Sequence, residues 1–273
     1  MNVSIGGFSF YQLLSAGEMD IYGYLETARH RFGLGSVDLW NGFFTDRSNL
    51  YYPVADDVDL RKIKRFLDEK QLTVANFAVD RAHLWDPDPA IREILHKNAL
   101  DYLRAAELLG ARTVRIDTSR GPVEPSEEQF EYTVMRYKEY AQRAADFGYT
   151  MGPENHTGIS LDPHWMKRLA EAVGHPGYGV LLHIGRWQDA AVPGEKLLAP
   201  WVNHVHLDAA RVSSEATVDI MRMLMDQGYQ GDWAVEYNAQ SHPYIELQWA
   251  LASAKRLLAK AGAAGPEQGN GGN

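Results

Sequence analysis

The sequence predicts an α/β protein built as a single-domain (β/α)8 barrel. Eight short apolar stretches alternate with longer stretches of helical periodicity over about 260 residues, which is the strand count and length of such a barrel. The last four apolar stretches end in side chains that can bind metal. These side chains follow one another from Glu154 through His183 and His206 to Glu236 in steps of 29, 23 and 30 residues. Each step fits one strand plus one helix of a parallel βαβ unit.

In the first half of the chain, strands are predicted at residues 3–10, 36–40, 72–79 and 113–117, where short apolar runs lie between turn signals. Apolar residues at helical spacing predict helices over about 20–31, 59–70, 90–109 and 126–147. Gly110 follows the third helix, where a left-handed residue is expected to end it. Ser126 with Gln129 three residues later resembles a capping box at the start of the fourth.

In the second half, strands are predicted at residues 149–156, 178–185, 202–208 and 233–238, and helices at about 162–173, 194–198, 217–227 and 243–258. Asp162 and Pro163 suit the N-cap and first position of a helix. His204 is expected to face the opposite side of its strand from His206. The barrel is expected to occupy residues 1–260, and the Gly-rich residues 261–273 are expected to be a disordered tail.

Composition limits the function classes. The chain has 27 basic and 36 acidic residues and a net charge of −9, which argues against a broad nucleic-acid or anionic-membrane surface. It has no cysteine, so any metal would be bound through nitrogen and oxygen. We find no signal peptide or membrane-spanning run and expect a cytoplasmic protein.

The four strand ends predict a metal site. If the strands are parallel, Glu154, His183, His206 and Glu236 reach the same carboxyl-terminal edge, where barrel enzymes build their active sites. Two carboxylates and two imidazoles suit a divalent ion such as Mn, Fe, Co, Ni or Zn. The alternative for the glutamates is an ion pair at a strand end, and for His183 a hydrogen bond to a neighbour.

Three motifs occur in order at these strand ends: Glu-Asn-His at 154–156, His-Val-His at 204–206, and Gly228, Gly231 and Trp233 leading to Glu236. Together they resemble the xylose isomerase-like TIM barrels, which include sugar isomerases, ketose 3-epimerases and endonuclease IV. The resemblance implies metal ligands at Glu154, at the end of strand six, at His206 and at Glu236. It also implies that the two glutamates shuttle a proton on either face of a ketose. We expect manganese first, with Mg, Co, Fe, Ni or Zn as alternatives.

The chain departs from that family pattern at strand six. The family has Asp in an Asp-x-x-His motif, where this chain has His183 and Arg186. Histidine can still bind a metal, so the site would keep two carboxylates in place of three. Arg186 replaces the family's substrate-contacting histidine and is expected to anchor an oxyanion or a carboxylate, unless it pairs with a glutamate.

Other residues near strand ends are candidates for catalysis or substrate binding. His156 lies two residues beyond Glu154 and is a candidate acid or base, or else a hydrogen-bonding loop residue. Candidate substrate contacts are Arg186, Arg211, Asp117, His83, Trp40 and Trp187, with Asp80, Arg81 and Arg115 as further possibilities. For the tryptophans, the alternative is packing at the barrel rim.

Four functions follow from this interpretation. The first is a divalent-metal-dependent isomerase or epimerase acting on a keto-sugar by proton transfer through a metal-stabilised enediolate. The second, implied by the resemblance to C-glycoside deglycosylase and keto-glycoside lyase relatives, is a lyase that eliminates the aglycone of a 3-oxo-glycoside (a C- or O-glycoside) at the same site. The third is a barrel that binds a sugar or a partner without catalysis, and a DNA-repair nuclease is disfavoured by the net charge of −9. The expected partner is a small carbohydrate, and a homo-oligomer or a partner subunit is left open.

Overall fold

A computed structural model describes residues 2–45, 47–49, 51–119 and 126–263. Within these residues the chain forms eight short parallel strands: β1 Val3–Ile5, β2 Ser36–Trp40, β3 Thr73–Val79, β4 Thr113–Ile116, β5 Thr150–Gly152, β6 Val180–His183, β7 Val202–Leu207 and β8 Trp233–Val235. The strands are buried on both faces, as their nearly continuous apolar sequences predict.

The strands close into a barrel. Ladders of hydrogen bonds join them in the orders β1-β8-β7-β6 and β2-β3-β4-β5. A bridge between Gly6 and Asp38 joins β1 to β2, and a bridge between Glu154 and Leu181 joins the end of β5 to β6. The predicted single-domain (β/α)8 barrel is therefore confirmed.

Helices surround the barrel and cover its apolar outer face. Among the described residues they are α1 Tyr11–Ser15, α2 Ile21–Glu26 (continued by a π-helical turn, Thr27–Arg31), α3 Asp57–Glu69, α4 Pro89–Leu109, α5 Glu127–Phe147, α6 Pro163–Val173, α7 Gly194–Leu198, α8 Ala209–Ser213, α9 Thr217–Asp226 and α10 Pro243–Gly262. None of these helices is both long enough and apolar enough to cross a bilayer.

The predicted helix ends have the expected geometry. Gly110 ends α4 with a left-handed φ of 73°. The Ser126 hydroxyl accepts a hydrogen bond from the Gln129 amide at 3.2 Å, and the Asp162 carboxylate accepts one from the first turn of α6. These caps satisfy amide groups that have no partner within the helix.

Several strands are shorter than the sequence predicted, among them β5, β6 and β8, and the boundaries of the first strand and the last helix differ for a physical reason. The first strand ends at Ile5, and Gly7–Phe10 forms a 3-10 helix because the chain turns under Trp40, whose backbone nitrogen would lie 3.0 Å from a Cβ on Gly7. The last helix extends to Gly262 because Ala261 still packs into the core. Residues 264–273 of the predicted tail lie outside the described residues.

Candidate active site

Four metal-capable side chains meet at the carboxyl ends of the strands. Glu154 lies just beyond β5, His183 is the last residue of β6, His206 lies near the end of β7, and Glu236 lies just beyond β8. One ligand atom from each lies within 4.8 Å of the others. Parallel strands bring these residues together although up to 82 positions separate them in the sequence.

The backbone around Glu154 is fixed by close packing between β5 and β6. A Cβ at Gly152 would overlap the carbonyl oxygen of Gly179, so only glycine allows this approach. Just beyond, the Asn155 amide donates to the His183 carbonyl at 2.9 Å and accepts from the His183 N–H at 2.7 Å. Asn155 therefore holds two of the four residues of the cluster in register.

The distances inside the cluster fit a single ion. His183 Nδ1 lies 3.3 Å from Glu154 Oε1 and 3.5 Å from Glu236 Oε2, and His206 Nδ1 lies 3.9 and 3.2 Å from the same two oxygens. Ligand atoms that bind one ion at about 2.1 Å are about 3.0 Å apart in octahedral and about 3.4 Å apart in tetrahedral coordination. His206 Nδ1 is also buried and accepts or donates no hydrogen bond, which leaves it open to a ligand.

A carboxylate behind the cluster orients His206. Asp38 Oδ2 lies 2.7 Å from His206 Nε2 and 2.9 Å from His204 Nε2. The prediction that His204 faces away from His206 is therefore wrong, because residues two apart on a strand lie on the same side. Burial alone would lower the pKa of His206, but the charges on Asp38 and Glu236 raise it to about 10.

The second carboxylate oxygen of Glu154 faces a buried arginine. Arg115 Nε lies 3.3 Å from Glu154 Oε2, and Arg115 Nη1 lies 2.7 Å from Asp80 Oδ1 and 3.1 Å from Asp117 Oδ2. Burial would raise the pKa of Glu154, but His156, His183 and Arg115 hold it well below its usual range. Glu154 is therefore a carboxylate anion, stabilised by the two histidines and by Arg115.

His156 lies on the other side of Arg115. Its Nδ1 is 2.8 Å from Asp117 Oδ2. Burial alone would lower the pKa of His156, but the charges on Glu154 and Asp117 raise it to about 9. Asp117, Glu154 and His156 have the separations of a second ion site. The Arg115 guanidinium contacts Asp117 and Glu154, so its positive charge already balances these two carboxylates in place of a second ion.

Arg186 covers the four-residue cluster on the open side. Its Nη1 lies 3.0 Å from Glu154 Oε1, and its Nη2 lies 3.2 Å from His183 Nε2 and 4.0 Å from Glu236 Oε2. The side chain is one-third exposed, whereas Glu154 and His183 are buried beneath it. The guanidinium therefore neutralises the cluster and also offers hydrogen-bond donors to a molecule in the cleft.

A cleft of about 760 Å³ opens above these residues. This volume lies in the usual range for small-molecule sites. The cleft brings together predicted site residues from the ends of six strands. Its lining includes Trp40, Asp117, His156, Arg186, His206 and Glu236, together with the aromatic residues Phe8 and Tyr237. Trp40 is nearly buried, and its indole N–H donates to Asp80 Oδ2 at 2.9 Å.

Three predicted substrate contacts lie outside the lining of this cleft. The guanidinium carbon of Arg211 lies 2.6 Å from where a Cβ on Gly185 would be, and Trp187 packs against Gly194. His83 lines a separate cavity of about 110 Å³ beside Arg81. Arg211 thus lies against the loop after β6, and Trp187 lies against its own loop, which sequence position alone does not reveal.

Two acidic residues of the site were not predicted. Asp38 was missed because it lies inside strand β2, although a single acidic residue in the apolar run Ser-Val-Asp-Leu-Trp is the signal that could have identified it. Asp208 caps α8 by accepting from the Arg211 N–H at 2.8 Å. Its Oδ2 lies 3.7 Å from His183 Nε2, on the side of the ring away from the cluster. Of the two cluster histidines, His206 is therefore the one with a carboxylate within hydrogen-bonding distance of Nε2.

These features define an α/β barrel in which four side chains that could hold a metal ion meet at the carboxyl ends of the strands. The chain belongs to the xylose isomerase-like TIM barrel family, whose model matches residues 30–259. None of the curated proteins compared with it matches its sequence.

Solved structures share the fold at low sequence identity. D-psicose 3-epimerase from Clostridium cellulolyticum, solved with D-tagatose, superposes with a TM-score of 0.75 and 17% identity, over 94% of this chain and 99% of that one. The probable 3-DHS dehydratase AsbF from Bacillus anthracis gives 0.70 and 15%, over 93% and 99%. The IOLI protein, solved with a zinc atom, gives 0.73 and 11%, over 97% and 100%.

Proposed function

We propose that this protein is a divalent-metal-dependent isomerase or epimerase that moves a proton next to the carbonyl of a keto-sugar. The observation that carries the proposal is the convergence of two carboxylate oxygens and two imidazole nitrogens at separations that suit one ion. The similarity in fold to an epimerase solved with D-tagatose supports the substrate class.

The ion would be held by Glu154, His183, His206 and Glu236. When bound, a divalent ion polarises a carbonyl oxygen and so acidifies the adjacent C–H bond. Nitrogen and oxygen ligands in equal number suit manganese, our first choice, and also Fe, Co, Ni and Zn, with Mg as a further alternative. The zinc atom in the IOLI structure, which shares the fold, supports metal binding as such.

Glu236 is the better placed of the two glutamates to remove a proton. It lines the cleft, whereas Glu154 lies beneath Arg186 and has an arginine on each carboxylate oxygen. A carboxylate held by two guanidinium groups is a weak base. We therefore assign the first proton transfer to Glu236 and a mainly ligating role to Glu154.

His156 and Arg186 complete the catalytic assignment. Both line the cleft, and His156 is held by Asp117. His156 returns a proton to the substrate, and Arg186 donates hydrogen bonds to the oxygen on which negative charge develops. Trp40 and Asp117 lie close enough to the cleft to contact sugar hydroxyls or the ring face.

Elimination is the second candidate function. After Glu236 removes the proton, the electron pair forms a carbon–carbon double bond, and the leaving group on the next carbon departs with a proton from His156. Similarity to a probable dehydratase favours this alternative, as does the position of His156 in the cleft. A DNA-repair nuclease finds no support, because Arg115 occupies the group that would hold a second ion.

The proposal is tested by product analysis. Purified protein is loaded with Mn²⁺ and incubated with a panel of keto-sugars and 3-oxo-glycosides, with and without EDTA. Epimerised or isomerised sugar that disappears with EDTA supports the first function, and a released aglycone supports the second. Turnover that EDTA leaves unchanged contradicts metal dependence. Mn²⁺-loaded protein that converts nothing in the panel contradicts the proposed substrate class.

A further inference from the structure

Asp38 is a buried carboxylate that contacts one histidine of the four-residue cluster directly. It is 1% exposed and lies in the middle of β2, inside the barrel. Its Oδ2 contacts the Nε2 atoms of His204 and His206, and its Oδ1 accepts from the Asn76 amide at 2.8 Å. A buried charge with this many directed contacts restricts the orientation of its neighbours.

The contact with His206 decides which ring nitrogen carries hydrogen. A carboxylate only accepts hydrogen bonds, so at 2.7 Å from Asp38 Oδ2 the Nε2 atom of His206 must be the donor. When the ring gives up its other proton to bind an ion, the lone pair is therefore on Nδ1, which faces Glu154 and Glu236. Nitrogen with a lone pair is the form of histidine that binds metal.

We infer that Asp38 is a positioning residue that fixes His206 in the tautomer whose Nδ1 binds the ion. This inference rests on the metal centre of the proposed function. Asp38 is not one of the four residues of the cluster and acts on the ion through His206. The arrangement follows the general rule that a metal-binding histidine donates its second N–H to a fixed acceptor.

A polar chain keeps Asp38 itself in place. The Thr113 hydroxyl donates to Asn76 Oδ1 at 2.8 Å, and Asn76 donates to Asp38 Oδ1. His204 donates to the same oxygen as His206 and so limits rotation of the carboxylate. Asn76, Thr113 and His204 are all buried, so water does not compete for these bonds.

The test compares Asp38→Asn with wild type by Mn²⁺ titration and by ¹⁵N NMR of histidine-labelled, Zn²⁺-loaded protein. Replacing an acceptor behind a ligand lowers metal affinity about 10- to 100-fold. We expect that loss in Asp38→Asn. In wild type we expect a hydrogen-bonded proton on Nε2 of His206 and zinc on Nδ1, and in the variant we expect the Nε2 signal to shift.

Asp232→Asn is the matched control. Asp232 is also a buried acid, 3% exposed, and it pairs with Arg112 and Ser36 at the opposite end of the barrel. We expect this variant to lose stability without losing Mn²⁺ affinity. If Asp232→Asn loses stability but keeps its Mn²⁺ affinity, then a weaker Mn²⁺ affinity in Asp38→Asn cannot be explained by lost stability alone.

The outcomes separate this inference from the proposed function. Wild type that binds no metal contradicts the metal centre itself. Wild type that binds metal, with Asp38→Asn binding it equally well, overturns the positioning role alone. If Asp38→Asn does not fold, the wild-type spectrum still decides, because zinc on Nε2 of His206 is incompatible with the hydrogen bond to Asp38.

Discussion

Arg186 Nη1 lies 3.0 Å from Glu154 Oε1, the same oxygen that faces both cluster histidines. The guanidinium charge is therefore within a few ångströms of any ion bound there, and the two cations repel each other. The resemblance to the family places a histidine at this position. Metal affinity and substrate anchoring are thus expected to oppose each other at Arg186.

The first prediction concerns this opposition. Arg186→Gln removes the charge but keeps hydrogen-bond donors, so Mn²⁺ should bind about tenfold tighter, equivalent to about 1.4 kcal/mol. The same variant should raise KM or lower kcat, because the oxyanion loses a charged donor. Calorimetric titration and steady-state kinetics measure both effects. Arg186→Lys keeps the charge and serves as control, and equal or weaker Mn²⁺ binding by Arg186→Gln would show that the repulsion is unimportant.

The second prediction concerns the proton acceptor. Glu236→Gln retains an oxygen ligand but cannot accept the proton, so kcat should fall at least about 100-fold. Initial rates on Mn²⁺-saturated protein provide the measurement, with metal content determined on the same sample. Glu171→Gln, at an exposed site on α6, should behave as wild type. Near-normal kcat in Glu236→Gln would assign the proton transfer to another residue.

The third prediction concerns the packing that positions Glu154. Gly152→Ala places a methyl group against the Gly179 carbonyl oxygen and should lower the free energy of unfolding by about 1–3 kcal/mol. Gly35→Ala is the matched control, because no atom lies within 4 Å of its added Cβ. Urea unfolding followed by circular dichroism compares the two variants. Equal midpoints for Gly152→Ala and wild type would mean that β5 and β6 can move apart to accommodate the methyl group at little cost in stability.

The fourth prediction concerns pH and stability at the α4–α5 interface. Burial and the neighbouring Arg136 charge lower the pKa of His96, although Glu139 and Glu93 act in the opposite direction. Because the folded pKa lies below the unfolded value, the stabilisation from a neutral His96 is complete above about pH 6.5, declines as the pH falls below that value, and is lost once the pH falls through the folded pKa.

His96→Gln isolates this contribution. The urea midpoint of wild type should fall more steeply between pH 7.5 and pH 5.5 than that of the variant. His30→Gln, an exposed histidine, should retain the wild-type slope. Parallel curves for wild type and His96→Gln would contradict the prediction.

The sequence predicted the barrel and the convergence of four strand-end residues because both follow from local patterns. Each of the last four strands ends in a side chain that can bind metal. Parallel strands of a barrel bring their carboxyl ends to the same edge, and this does not depend on the conformation of the loops. Glu154, His183, His206 and Glu236 were found in this way. Their separations came only from the structure, because those depend on barrel closure.

The residues that were missed or misplaced depend on side-chain direction. Asp38 occupies an inward position in the middle of a strand, and only the closed barrel shows that it meets His206 from across the interior. The error over His204 came from the strand period, since residues two apart share a side. Arg211 and Trp187 follow strand ends, as predicted, but their side chains pack against Gly185 and Gly194. The sequence pattern does not indicate these side-chain directions.

The most direct test of the metal centre is the metal content of the purified protein. Wild type, His183→Ala and His30→Ala are dialysed against Mn²⁺ and then metal-free buffer, and bound metal is measured by mass spectrometry. The account predicts about one ion per chain in wild type and His30→Ala, and far less in His183→Ala. Equal metal in all three proteins would contradict the role of His183, and no metal in any of them would contradict the centre.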